Sequence, residues 1–284
     1  MTPAAELASL LLDRLGITGK PDLTAVCRRL GLRVKEERLS GAHGTLVRSK
    51  SAQKGIITVK ASLREAAQKR FTIAHEIGHF IIPYHKELGN VCDARVIDRY
   101  GTTMPRPELE ANEFAAELIL PSKLISNRLP LKHPSLDPIG TVAREFEASL
   151  TATTWRYLDL TDLPCAMVWS EAGKAVWYRT SEALPYKLPL RDLPTEQSIA
   201  GRLCAGKEVT SRADKVDPQL WFYPSQAERI SLLIEESLPL PSYDAVLTLL
   251  WVAKMEPPAL AEDEELLPEL DPEEFTLRRP RWPR

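Results

Sequence analysis

FTIAHEIGHFI, residues 71–81, places His75 and His79 one helical turn apart with Glu76 beside the first of them. Side chains four positions apart lie on one helix face, so the two imidazoles project the same way. Nitrogens so placed converge on one metal ion at about 2.0–2.1 Å, the distance zinc takes to histidine. Glu76 is the next residue round the helix, close enough to take a proton from a water on that metal without being a ligand. The neighbours Ile73, Ala74, Ile77, Gly78, Phe80 and Ile81 are all uncharged, which suits a helix buried beneath an active-site cleft. Gly78 is small enough for another element to pack closely on it. A bare five-residue pattern of this kind also arises by chance on amphipathic helices, with both histidines merely hydrogen-bonded at the edge of a core. The apolar frame and a second, acidic helix downstream argue against chance.

A catalytic zinc takes three protein ligands and keeps a fourth position open. His85 lies six residues after His79, the offset of the longer HExxHxxGxxH pattern. That pattern turns the chain back at a glycine, whereas this chain has Ile82-Pro83, so His85 reads as a loop histidine near the rim. Glu108, which opens Glu108-Leu-Glu-Ala-Asn112 on the acidic helix, would complete a His₂Glu set. It is the favoured third ligand, with His85 and another acid as the alternatives. Asn112, one turn on, is placed to orient a ligand histidine. Glu110 and Glu113 point to other faces and read as solvated or capping charges.

Working outward, helices are expected at about 3–15 and 22–30, and strands at Leu32–Glu37, Thr45–Val47 and Ile56–Lys60. Gly41, Gly44 and Gly55 punctuate the strands, which reads as a small antiparallel sheet. The histidine helix would start at Ser62, with Glu65 as its capping-box partner, bury Phe71, Ala74, Ile77 and Ile81, and end at Pro83. Residues 84–105 show no period and read as a loop with one short helix, and the acidic helix starts at Pro107. Ile139–Glu147 and Thr151–Leu158 form two short helical patterns. Cys165–Tyr178 alternates like a hairpin around Gly173, Pro224–Leu233 reads as helix and Ala245–Val252 as a buried strand. The implied divisions are 1–128, 129–162, 163–255 and an acidic proline-containing tail, 256–284.

Composition sets the outer limits. The chain has 284 residues, 44% hydrophobic and 27% charged, with no apolar run near the roughly 20 residues that cross a bilayer. Its first twenty residues mix acidic and basic groups among leucines, unlike a signal peptide. Cys27, Cys92, Cys165 and Cys204 are scattered and form no Cys-x-x-Cys pair, so they read as free thiols in a reducing compartment. The expected place is the cytoplasm. A formal charge of −2 gives no general attraction to nucleic acid, and the tail carries nine acids against four arginines.

Three stretches, KRFTIAHEIGHFII, ELEANEFAAELILP and VAREFEASLTATTWRYLDL, resemble the ImmA/IrrE family of bacterial zinc metallopeptidases. The resemblance is strong over about residues 1–160. It implies an α+β fold: a gluzincin-like metallopeptidase domain, a helix-turn-helix-like segment and a C-terminal α/β domain similar to a GAF sensor, as in the IrrE branch. It also implies a zinc endopeptidase with His75, His79 and Glu108 as ligands and Glu76 as the base. Its substrate would be a helix-turn-helix (XRE-type) repressor, whose cleavage releases a stress-response or mobile-element programme. The main alternative is a DNA-binding regulator or sensor that reads with 139–158. Its recognition-helix candidate, Thr151–Leu158, offers Arg156 alone as a cation beside Trp155, Tyr157 and Asp159, where DNA readers place several basic and amide groups. Direct DNA binding is therefore disfavoured. A non-catalytic structural zinc conflicts with a general base beside the ligands.

Overall fold

The computed structural model describes residues 1–49, 51, 53–87, 105–130, 132–193 and 196–256. Helix α1 (Pro3–Arg14) begins with Thr2 capping the Ala5 N–H and buries Ala4, Ala8, Leu11 and Leu12. Helix α2 (Leu23–Arg29) is capped by Asp22, which accepts from the N–H groups of Thr24 and Ala25. Gly31, at φ +73°, turns the chain into the first sheet.

Strands β1 (Leu32–Glu37), β2 (Gly44–Arg48) and β3 (Gly55–Lys60) lie in the order β1-β3-β2. The expected all-antiparallel sheet is corrected here: β2 and β3 form an antiparallel hairpin, but β1 pairs with β3 in parallel. Composition explains the order. GIITVK of β3 buries Ile57, Thr58 and Val59 and suits the centre, while β1 ends in exposed Lys35, Glu36 and Glu37, charges that suit an edge.

Helix α3 (Ala66–Ile81) carries the histidines. Its N-cap is Glu65 rather than Ser62, and Glu65 makes no side-chain cap bond. The cause is Leu63, which is drawn into the core and returns its N–H to the Lys60 carbonyl, so residues 61–65 are spent on a turn. A 3₁₀ turn at Pro83–Glu87 follows, and the rest of the expected loop lies outside the described residues. Helix α4 (Arg106–Ile119) opens with Pro107 in its first turn and packs along α3 and α1. A methyl group added at Gly78 would sit 3.2 Å from Phe114 Cδ1 and 3.3 Å from both Cα and the carbonyl oxygen of Ala111, so the small residue sets how closely α3 and α4 approach.

Helices α5 (Leu136–Phe146) and α6 (Leu150–Leu160) are capped by Ser135 and Ser149. The chain turns between them at Glu147 with φ 52°. A second, wholly antiparallel sheet follows, formed by β4 (Cys165–Glu171), β5 (Lys174–Thr180), β6 (Ala213–Val216), β7 (Ile230–Leu240) and β8 (Ala245–Met255) in the order β5-β4-β8-β7-β6. The short helix α7 (Ile199–Cys204) packs on β7 and β8. The expected helix at Pro224–Leu233 is a single turn, Pro224–Ala227, and the strand β7 begins at Ile230. Pairing with β8 over its length outweighs the weak local helical pattern. Strand β4 is buried on both faces. Cys165, Met167 and Trp169 join the core shared with the helices, and Ala166 and Val168 a second core under α7. The tail from 257 lies outside the described residues.

Candidate metal centre

Packing α4 against α3 brings Glu108 to the two histidines. His75 Nε2 lies 3.1 Å from His79 Nε2 and 3.1 Å from Glu108 Oε2, and His79 Nε2 is 3.5 Å from Glu108 Oε1. His75, His79 and Glu108 are the group among the described residues whose ligand atoms fall within 4.8 Å of one another. Both histidines are buried and Glu108 is half-buried. Asn112, one turn along α4, sets its side-chain oxygen 2.8 Å from His75 Nδ1.

The donor chemistry fits a cation. With its Nδ1 hydrogen given to Asn112, neutral His75 presents a bare Nε2 to the carboxylate of Glu108. Lone pairs at such separations repel unless a positive charge stands among them. A shared proton serves the same end: burial opposes ionisation of Glu108, yet hydrogen bonds from His75 and His79 hold its carboxyl down at about 2.

Glu76 is fully buried on α3. A methyl group added at Gly44 of β2 would lie 2.8 Å from Glu76 Oε1 and 2.5 Å from Thr72 Cγ2. Arg48, at the other end of β2, donates to the His79 carbonyl and lies 5.7 Å from the Phe80 ring centre. The strand β2 thus borders the histidine helix at both Glu76 and His79.

Two expectations are corrected. His85 is not a rim histidine but is 1% exposed, with Nδ1 3.0 Å from His79 Nδ1. Nor is Glu110 merely solvated: its Oε2 lies 3.1 Å from His85 Nε2, and it also accepts from Tyr84 and Arg106. Burial pushes the His85 pKa down, against the pull of Glu110. Gly44, Arg48, His85 and Glu110 were missed in these roles. Only close approach of separate elements reveals them, and the spacing of residues along the chain carries no such signal.

Residues 27–156 match the family model of the IrrE N-terminal-like domain, a peptidase family. Over that segment the chain is similar to the ImmA/IrrE family. It is 28% identical over 112 residues to the metallopeptidase ImmA of Bacillus subtilis (strain 168). That alignment covers 39% of this chain and 62% of the relative, so the chain spans less than two thirds of that relative's length. Among solved structures, a Mycobacterium tuberculosis transcriptional regulator aligns with TM-score 0.50 at 12% identity, over 88% of this chain and 76% of that one. At that identity the likeness concerns the fold alone. The family's metallopeptidase character agrees with the cluster of His75, His79 and Glu108.

Proposed function

We propose that the chain is a cytoplasmic zinc-dependent endopeptidase that cleaves a helix-turn-helix repressor and so derepresses a stress-response or mobile-element regulon. The observation that carries this reading is the convergence of His75, His79 and Glu108 beside buried Glu76. The two histidine nitrogens and the carboxylate would hold the metal. When bound there, zinc supplies Lewis acidity toward the scissile carbonyl and an activated water. Glu76 takes the proton at its carboxylate and passes it to the leaving amine. Asn112 fixes the ring of His75, and Gly44 lets β2 approach without displacing Glu76. Among the described residues no helix is long and apolar enough to cross a membrane.

The DNA-reading alternative is weakened by the fate of its recognition-helix candidates. Arg156 donates to Glu117 and to the Leu120 carbonyl, the Tyr157 hydroxyl donates to the Pro130 carbonyl, and Asp159 accepts from Arg179. Arg179 in turn lies 4.1 Å from the Trp155 ring centre. For the C-terminal sheet we propose a GAF-like sensory role, supported by its second core beneath α7.

The test is elemental analysis of purified variants, with cleavage of helix-turn-helix regulators encoded by neighbouring genes. Glu108→Ala is expected to lose its stoichiometric zinc while His85→Ala keeps most of it. The reverse result would move the third ligand to His85.

A further inference from the structure

His79 and His85 face each other through their Nδ1 atoms at 3.0 Å. Two imidazole nitrogens that close share one hydrogen, carried by one ring and accepted by the other. The direction is set at the far end of the chain of contacts. The Glu110 carboxylate also receives Arg106 Nε at 2.9 Å and the Tyr84 hydroxyl, and an ionised carboxylate only accepts. His85 therefore carries its hydrogen on Nε2, 3.1 Å from Glu110 Oε2. A neutral ring with Nε2–H has a bare Nδ1, so the shared hydrogen belongs to His79. That leaves Nε2 of His79 bare, and it is this atom that faces His75 and Glu108.

We propose that His85 and Glu110 form a relay that locks His79 in the tautomer whose Nε2 lone pair is offered to the metal. The proposal rests on the metal-site reading above and makes His85 a positioning residue, not a ligand. It also shows a shared design with two different parts. His75 gives its Nδ1 hydrogen directly to the Asn112 oxygen at 2.8 Å, whereas His79 gives its own to a second imidazole backed by a carboxylate. Partners of this kind fix ring orientation and raise ligand basicity, and losing one commonly lowers metal affinity about ten- to a hundredfold.

Because the contact is made through Nδ1, the side-chain oxygen of asparagine, also one bond from Cγ, can replace it. Glutamine places its amide where Nε2 was, and phenylalanine offers no acceptor. Zinc affinity of the full chain, measured by competition with a chromophoric chelator, is expected to fall about ten- to a hundredfold in His85→Phe and His85→Gln. In His85→Asn it should stay near wild type. Equal losses in all three variants would overturn the relay, and loss of stoichiometric zinc in all three would make His85 a ligand. Nitrogen NMR of the wild-type, metal-free protein at mildly alkaline pH gives an independent reading: His79 with its hydrogen on Nδ1 and His85 with bare Nδ1. The opposite tautomers would sink the proposal whatever the variants do. If wild type takes up no zinc, the metal-site reading fails by itself, since the tautomers are read without metal.

Discussion

Glu76 lies fully buried, and what stands opposite its carboxylate is the bare backbone of Gly44, where even one methyl would come within 2.8 Å of Oε1. The position of Glu76, the proposed base, thus depends on a side chain that is absent. Gly44→Ala must shift β2 or rotate Glu76 and Thr72, and overpacking of this kind costs about 1–3 kcal/mol. A displacement of about 1 Å at reacting groups costs on the order of a hundredfold in rate. We expect Gly44→Ala to keep its zinc, since the ligands are on α3 and α4, and to cleave substrate at least tenfold more slowly. Metal loss in parallel with activity would contradict this. Glu76→Gln tests the base directly because it retains size and much of the hydrogen bonding. It should bind zinc and fold normally yet lose the proton-transfer contribution, about 10²–10⁴ in rate. Cleavage above about a tenth of the wild-type rate would remove Glu76 from the role.

At the scale of elements, strand order decides where a substrate can lie. Strand β3 leads toward the histidine helix, but it is central and both of its edges are taken. Among the described residues the open edge near Glu76 belongs to β2. The N–H of Lys60 pairs with the His43 carbonyl and the N–H of Ser49 with that of Lys54. In the register that follows, Thr45 and Val47 bond inward, and the backbone groups of Gly44, Leu46 and Arg48 face outward. An extended peptide added there would run beside the histidine helix. Single N-methyl groups along a substrate peptide should therefore lower kcat/KM at alternate positions, by about tenfold for a lost hydrogen bond of roughly 1.5 kcal/mol. A uniform effect, or a cut mapped by mass spectrometry inside a stably folded helix, would count against strand addition. This case also marks how far sequence carries. Strand positions were legible because burial imposes its own periodicity, and α3 and α4 because their motifs have fixed spacing. The order of β1, β3 and β2 was not, since pairing is a choice among partners distant in sequence. The start of α3 at Glu65 and the strand β7 after Ala227 were lost in the same way, to a buried leucine and to a partner strand.

Across the whole molecule, helices α1 to α4, α5 and α6, and one face of the second sheet share a single apolar core, and polar ties cross the same boundaries. Glu236 of β7 accepts from the N–H of Leu136 at 2.9 Å, capping α5 from another element. The Tyr243 hydroxyl, beyond the end of β7, donates to Glu65 at the start of α3, 2.5 Å away. The deepest tie joins α4 to α6. Glu117, 1% exposed, receives Ser122 Oγ at 2.7 Å and the Ser122 N–H at 3.0 Å, and pairs with Arg156. Removing one member of a buried pair leaves the other charge uncompensated, which costs about 3–5 kcal/mol, while replacing both by apolar groups of similar volume is often neutral. Arg156→Ala should lower the unfolding free energy measured in urea by that amount, and combining Arg156→Met with Glu117→Leu should recover most of it. The same variant separates the two readings of α6. If this helix is a structural bridge to the peptidase, Arg156→Ala loses stability and wild type shifts no DNA in a gel. An Arg156→Ala protein as stable as wild type but deprived of a measurable DNA affinity would instead make α6 a reader. The partners that now hold Arg156 would then have to be released on binding.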